Sequence, residues 1–313
     1  MQAFLVKRLG VGLITLWVVT VLVFSLIQLL PGDVALALSG EERDPAAMAY
    51  VREKYHLDQP VLVQYLYWMG DALRGEFGTS LKTNLPVDDM ILSKIPVTLQ
   101  LAVFSMIWAL GIGIPAGVLS ALYKSRWPDH LANAVGLSGL SIPNFWLGIL
   151  LILVFAVELQ WLPPGGYVPL SEDPWENLAS MLMPSFVLGS GIAAVIMRHT
   201  RSAMLGALGA DYVRTARAKG LAEKVVIIKH ALRNALMPVI TLGALEFGQL
   251  LSGAVLTEQV FNIPGFGKLI VDAVFTRDFQ VVQGAVLFTA TMYIALNLLA
   301  DLAYYLVNPR LRG

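Results

Sequence analysis

Six stretches of this chain are almost free of charge and long enough as helices to cross the roughly 30 Å hydrocarbon core of a bilayer. They run approximately over residues 9–30, 97–122, 132–157, 179–200, 235–257 and 281–306. The pattern predicts an all-α, polytopic membrane protein with six transmembrane helices. Pro184 and several glycines interrupt the fourth stretch, which is the weakest of the six. Residues 31–94 are too polar to span. Within them, Asp44-Pro45 resembles an N-cap followed by a first-turn proline, opening a helix near 45–56. A second helix near 60–74 carries Tyr65, Tyr67, Trp68 and Leu73, side chains suited to a membrane interface. The chain then divides into three parts: 1–30 with the first span, an extracytoplasmic helical segment 31–94, and a five-helix core 95–313 with a cytoplasmic loop at 201–235.

The first stretch follows Lys7 and Arg8 and runs from Leu9 to Leu30, roughly 33 Å as a helix. That exceeds the apolar region of a secretory signal, about 7–15 residues. Pro31-Gly32-Asp33 follows in place of a small-residue cleavage site. The segment therefore reads as an uncleaved first transmembrane helix.

Composition agrees. Hydrophobic residues make up 57% of the chain and charged residues 14%, against about 25% charge in soluble domains. A zero net charge gives no sign of nucleic-acid binding. The absence of cysteine excludes disulfides, thiolate chemistry and Cys-ligated metals. The cations are unevenly placed. Lys7, Arg8, Lys124, Arg126, Arg310 and Arg312 share one predicted side with the eight between spans four and five, Arg198, Arg201, Arg214, Arg217, Lys219, Lys224, Lys229 and Arg233. The short loops on the other side hold only Lys268 and Arg277. The positive-inside rule puts both termini in the cytoplasm.

Two ionisable residues lie well inside predicted spans, Glu246 and Asp301. Each costs about 3 kcal/mol at mid-bilayer, so neither should face lipid. They can line a solvated path or serve as hydrogen-bonded packing groups; pairing suits Asp301 better, since it lies nearer the cytoplasmic end. Gln249 shares the helix face of Glu246. Gly113-x-x-x-Gly117 allows close helix approach, with Pro115 between the two. The third span carries Gly136, Gly139, Pro143 and Gly148. The Pro-Pro-Gly-Gly run at 163–166 reads as a plain turn.

No nucleotide-binding Gly-x-x-x-x-Gly-Lys-Ser/Thr loop occurs; Gly265-Phe-Gly-Lys268 lacks the spacing. His56, His130, His199 and His230 fall in loops or at span ends, so an intramembrane nucleophile–base pair or helical metal cluster is not supported. The chain is not expected to be an enzyme on its own. The segment 211–238 is long, basic and amphipathic. Asp211 can cap a short helix and Gly220 can end it. A second helix carries Val225, Val226, Ile228, Ala231 and Leu232 into span five. Such a unit can lie on anionic lipid or dock into another protein.

Tyr212-Val-Arg-Thr-Ala-Arg-Ala-Lys-Gly-Leu221, followed by His230-Ala-Leu-Arg-Asn-Ala235, resembles the cytoplasmic loop of ABC-type import permeases of the dipeptide, oligopeptide, nickel and glutathione group. Resemblance extends nearly end to end, through Pro31-Gly32-Asp33, Phe77-Gly-Thr-Ser80 with Pro86-Val87, Asn262-Ile-Pro-Gly-Phe-Gly267 and Asn308-Pro-Arg310. Arg126-Trp-Pro-Asp129 and Val157-Glu-Leu-Gln-Trp-Leu162 look closest to glutathione-type members. Of the general importer loop pattern only Ala216, Gly220 and Leu232 are kept, a departure shared with the peptide subgroup. The resemblance implies a type I importer permease in a bacterial inner membrane, paired with a second homologous permease. It implies two cytosolic ATPase subunits, an extracytoplasmic substrate-binding protein and surrounding lipid as partners, with no nucleic acid. ATP and Mg would be bound by the ATPase subunits and no cofactor by this chain. Tyr212, Thr215, Ala216, Ala218, Lys219, Gly220 and Leu221 would contact an ATPase, small Ala216 allowing close seating and Gly220 setting the angle between two short helices. Glu246, Gln249 and Asp301 are candidates for the translocation path. An ion-gradient-driven secondary transporter using Glu246 and Asp301, and a non-transporting scaffold, are the alternative classes.

The lack of cysteine makes topology directly testable. In intact cells a membrane-impermeant maleimide should label Glu172→Cys and leave Lys124→Cys unlabelled until the membrane is permeabilised. Equal labelling of both would overturn the orientation.

Overall fold

The computed structural model describes residues 2–28, 48–49, 52–53, 56–251 and 254–307, with backbone alone for 2–7, 27 and 299–307. Pro31-Gly32-Asp33, Asp44-Pro45, most of the helix expected near 45–56 and Asn308-Pro-Arg310 lie outside the described residues. Among the described residues the named helices follow in the order α1 Gln2–Gln28, α2 Val61–Arg74, α3 Val87–Leu122, α4 Trp127–Ser141, α5 Asn144–Glu158, α6 Pro174–Leu208, α7 Asp211–Ala218, α8 Glu223–Leu251, α9 Val255–Val260, α10 Phe266–Phe275 and α11 Phe279–Val307. The ends of α5 and the start of α8 are π-helical, at Ile152–Glu158 and Val226–Leu232. Among the described residues the β component is one isolated bridge, Thr79 to Pro86.

Among the described residues five helices (α1, α3, α6, α8 and α11) are long and apolar enough to cross a membrane. The expected third span, 132–157, is not one straight helix. It is the pair α4 and α5, bent by 99° at Ile142-Pro143. Proline lacks an N–H and its ring disfavours helical geometry in the residue before it, so Ile142 is extended and α5 restarts after Pro143. Conversely, the fourth stretch is unbroken despite Pro184: α6 runs 35 residues, about 52 Å.

The chain forms two compact units, residues 1–97 with 265–313, and residues 98–264. In the first, α2 lies against α1. Tyr65 and Thr20 share a hydrogen bond of 2.8 Å, and Phe24 meets Tyr65 edge-on with ring centres 5.4 Å apart. Tyr67 turns away and stacks on His56, and Leu73 is exposed. The Phe77-Gly-Thr-Ser80 motif docks on the start of α11. Ser80 Oγ donates to Asp278 at 2.5 Å, while the Thr79 N–H donates to Gln280 Oε1 at 2.9 Å. Gly78 has φ +82°, and Gly284 lets Phe77 and Val87 sit directly on the helix backbone. Val87, Ile91, Phe266, Leu269, Val281 and Ala285 form the core there.

Helix α6 is the post of the second unit, with 72% of its most apolar window buried against 17% for α1. Helix α3 runs parallel to it in near-constant register. A Cβ on Gly189 would lie 2.5 Å from the Ser105 carbonyl, one on Gly113 2.7 Å from Ala193 O, and one on Gly117 2.6 Å from Met197 O. Helix α4 runs antiparallel to α6, since Gly136 meets Met197 and Gly139 lies nearer Ser190 and Ala194. Two parallel spanning helices require the chain between them to return across the membrane. The bent pair α4–α5 therefore counts as one crossing, making six. The Pro-Pro-Gly-Gly run is more than a plain turn: a Cβ on Gly165 would sit 2.1 Å from Phe261 O, and Gly166, at φ +97°, donates its N–H to that oxygen at 2.8 Å.

Gly117→Ala should lower thermal stability in detergent by about 1–3 kcal/mol, because α3 and α6 must part. Gly111→Ala, where a Cβ meets nothing within 4 Å, should not. Equal shifts in the two melting curves would contradict the close-contact assignment.

Candidate translocation cavity and basic helical loop

The basic loop is built around α7. Its N-cap is Ala210, and Asp211 is the first helical residue, so the expected Asp211 cap is not formed; Asp211 instead pairs with Arg214 at 3.4 Å on the surface. Gly220 ends the helix as expected, at φ +75° one residue past the C-cap Lys219. No atom would meet a Cβ there, so its requirement is backbone conformation rather than space. After the turn Arg217 grips Glu223 at the head of α8 through two hydrogen bonds of 3.1 and 2.6 Å. That exposed pair spans the bend between the two helices.

The loop is anchored to its own unit. Val213 and Ala216 are buried with Ala121 of α3, Met204 and Ala207 of α6, and Val226, Ala231 and Ala235 of α8. Ala216 thus spends its small size on packing inside this chain. Tyr212, Thr215, Ala218, Lys219, Gly220 and Leu221 are exposed. Six of the seven residues named from the resemblance therefore share an accessible surface, and one lies beneath it.

Just before the loop sits an ion pair with a buried carboxylate that sequence reasoning missed. Asp129 is 3% exposed. Arg201 Nε and one terminal nitrogen donate to its two oxygens, both at 2.8 Å. Ser120 Oγ, Asn133 Nδ2 and the Ser125 N–H donate to it as well, at 2.5, 2.7 and 2.8 Å. One carboxylate thereby ties α3, the turn after it, α4 and α6 together. The signal was present in Arg126-Trp-Pro-Asp129, read only as a family marker.

The elbow between α4 and α5 opens a cavity of about 540 Å³, walled by Gly139 and Asn144 from its two arms, Leu188 to Val195 of α6, and Glu246 and Gln249 of α8. Ala254 to Thr257 close one side. Glu246 is half-buried and forms no hydrogen bond or ion pair among the described residues. The structure brings Glu246 and Gln249 to one cavity. Asp301 belongs by its backbone to α11, and its side chain lies outside those described. A further carboxylate, Glu258, is fully buried and accepts from Thr98 at 3.0 Å. It escaped notice because it follows the fifth apolar stretch in sequence.

Comparison with known proteins is consistent over the whole length. The family model described as binding-protein-dependent transport system inner membrane component matches residues 113–313, and its N-terminal companion matches residues 1–102. The glutathione transport system permease protein GsiC of Escherichia coli K12 is 44% identical over 313 residues, covering 100% of this chain and 99% of the relative. The GsiC of Shigella dysenteriae serotype 1 shows the same identity and coverage. Among solved structures, the inward-facing MetNI methionine ABC transporter aligns with TM-score 0.54 at 17% identity, over 70% of this chain and 96% of that one. An amino acid ABC transporter crystallised with histidines gives 0.50 at 14%, over 69% and 93%. These two likenesses concern the fold.

The ion pair can be tested by a double-mutant cycle. Asp129→Ala and Arg201→Ala should each cost about 3 kcal/mol of stability, and the double variant clearly less than the sum, because both single changes remove the same ion pair. Additive losses in denaturation of the purified protein would show the two side chains to be independent.

Proposed function

This chain belongs to the family of binding-protein-dependent transport system inner membrane components, and from that premise we propose that it forms half of the translocation pathway of an ATP-driven importer of peptides or related small solutes, glutathione among them. Its expected partners are a second homologous permease, two cytosolic ATPase subunits and an extracytoplasmic binding protein. Both termini lie on the cytoplasmic side in this reading. Hydrolysis takes place in the ATPase subunits, and this chain converts their closure into helix movement.

The observation that carries the coupling role is the anchorage of α7. A loop that merely rested on lipid would gain nothing from a fixed angle. Here the angle is set by the left-handed Gly220, with the Arg217–Glu223 pair across the bend, and the inner face is locked by Val213 and Ala216. The same cluster includes Met204 and Ala207 of α6, whose residues Leu188 to Val195 wall the cavity. The two regions lie about 15–25 Å apart along one continuous helix. A push on the outer face of α7 is thus delivered to α6 and α8 as a rigid-body shift, the kind of motion by which packed helices switch between discrete states.

Two measurements test this. A tagged chain extracted in mild detergent should co-purify with a second multi-span permease and ATPase subunits, identified by mass spectrometry. Leu221→Asp, on the exposed face, should reduce recovered ATPase at least tenfold with unchanged membrane insertion. Recovery of the chain alone, with uptake that survives ATP depletion, would favour the gradient-driven class instead.

A further inference from the structure

We propose that the cavity at the α4–α5 elbow is a transient binding site for the ammonium group of the transported solute, with Glu246 as its counter-charge; the inference rests on the translocation reading above and specifies the chemistry of the solute. A carboxylate held in a largely apolar cavity without a partner is costly, since its own hydration is reduced and nothing replaces it. Glu246 is in that position: half-buried, on the cavity wall, with no hydrogen bond or ion pair among the described residues. The contrast with the two buried carboxylates of the unit is informative. Asp129 is saturated by Arg201, Ser120, Asn133 and the Ser125 N–H, and Glu258 accepts from Thr98. Carboxylates that serve packing here are satisfied within the chain, and Glu246 has no such partner among the described residues.

The cavity also has a suitable size and composition. At about 540 Å³ it falls in the range of small-molecule sites, about 300–1,000 Å³. Its remaining walls are mostly small or apolar, with Gly139, Gly191, Ile142, Leu188 and Leu256 among them. Gly191 lies on the wall beside Asn144, whose side-chain oxygen would make ordinary contact, at 3.7 Å, with a Cβ at that position. Asn144 and Gln249 add polar groups to the same cavity wall. A single anion on an apolar wall favours a solute with one cationic end over an anionic or fully neutral one. It also binds loosely, as passage requires: one ion pair in a partly wet site holds a solute without trapping it.

Leu256, exposed and on the cavity wall, provides the reporter as Leu256→Cys in an otherwise cysteine-free chain. In native membranes its modification by a trimethylammonium thiosulfonate should outpace modification by the sulfonate analogue. Adding Glu246→Gln should reduce that rate ratio by about tenfold, the effect of one charge a few ångströms away in a medium between protein and water. Tri-alanine should protect the cysteine at millimolar concentration, and N-acetyl-tri-alanine should not. The peptide comparison needs only Leu256→Cys, so it remains decisive if Glu246→Gln fails to insert. An unchanged rate ratio, equal protection by both peptides, or protection by neither would overturn the proposal. Loss of ATPase co-purification would sink the importer reading while leaving the charge-selective labelling intact, so the two failures are distinguishable.

Discussion

Helix α3 meets α6 backbone to backbone. Gly113, Gly117 and Gly189 leave no side chain between them, and carbonyl oxygens of one helix lie where a methyl of the other would be. In lipid this contact matters more than it would in water. Apolar side chains gain little by leaving one hydrocarbon environment for another, so helices are joined by dispersion over closely fitted surfaces and by a few polar bonds. Once α3 and α6 are locked in parallel register, the remaining helices of the larger unit have defined places. Helix α4 must return antiparallel, its elbow must turn at Pro143, and α8 must run back along the other side of α6 with Val239 against Ile196. The cavity is the space left where the elbow cannot fill its corner.

Polar groups then fix what packing alone would leave loose. Asp129 gathers donors from three helices and the turn between two of them, at the end of α6 that carries the basic loop. Such a node costs desolvation and is weak evidence for net stability, but it admits only one arrangement of its helices. Beyond it the loop repeats the design on a smaller scale: an apolar underside, an outer face left free, and one ion pair across the bend. In the smaller unit Asp278, Ser80 and Gln280 do the same for the segment before α3, seating the Phe77-Gly-Thr-Ser80 motif on the first turn of α11. Both units therefore combine glycine-mediated approach with a satisfied carboxylate.

Much of this was legible in the chain itself. Long apolar runs and cation placement gave the class and the number of crossings, because each spanning helix must satisfy its backbone internally and needs about 20 apolar residues. Gly220 was readable as a helix stop because few other residues adopt its backbone angles cheaply. Gly113 and Gly117 were readable as a contact face, and Glu246 with Gln249 as neighbours on one helix. What misled was local punctuation. Pro184 suggested a break in a helix that tertiary packing keeps whole, while the elbow at Pro143 lay inside an apparently continuous stretch. Ala216 looked like a surface residue and proved to be an inner one.

The sequence by itself determined that this is an all-helical membrane protein with a structured basic loop, since hydrophobic length, charge asymmetry and glycine conformation act over a few residues at a time, and its ordered motifs carried the resemblance to importer permeases. Tertiary structure alone decided which of the buried and half-buried carboxylates find donors among the described residues. Asp129 and Arg201 lie 72 residues apart, Thr98 and Glu258 lie 160 apart, and hydropathy cannot tell a carboxylate with distant donors from one facing a cavity. That difference depends on which helices meet and in what register, and it singles out Glu246.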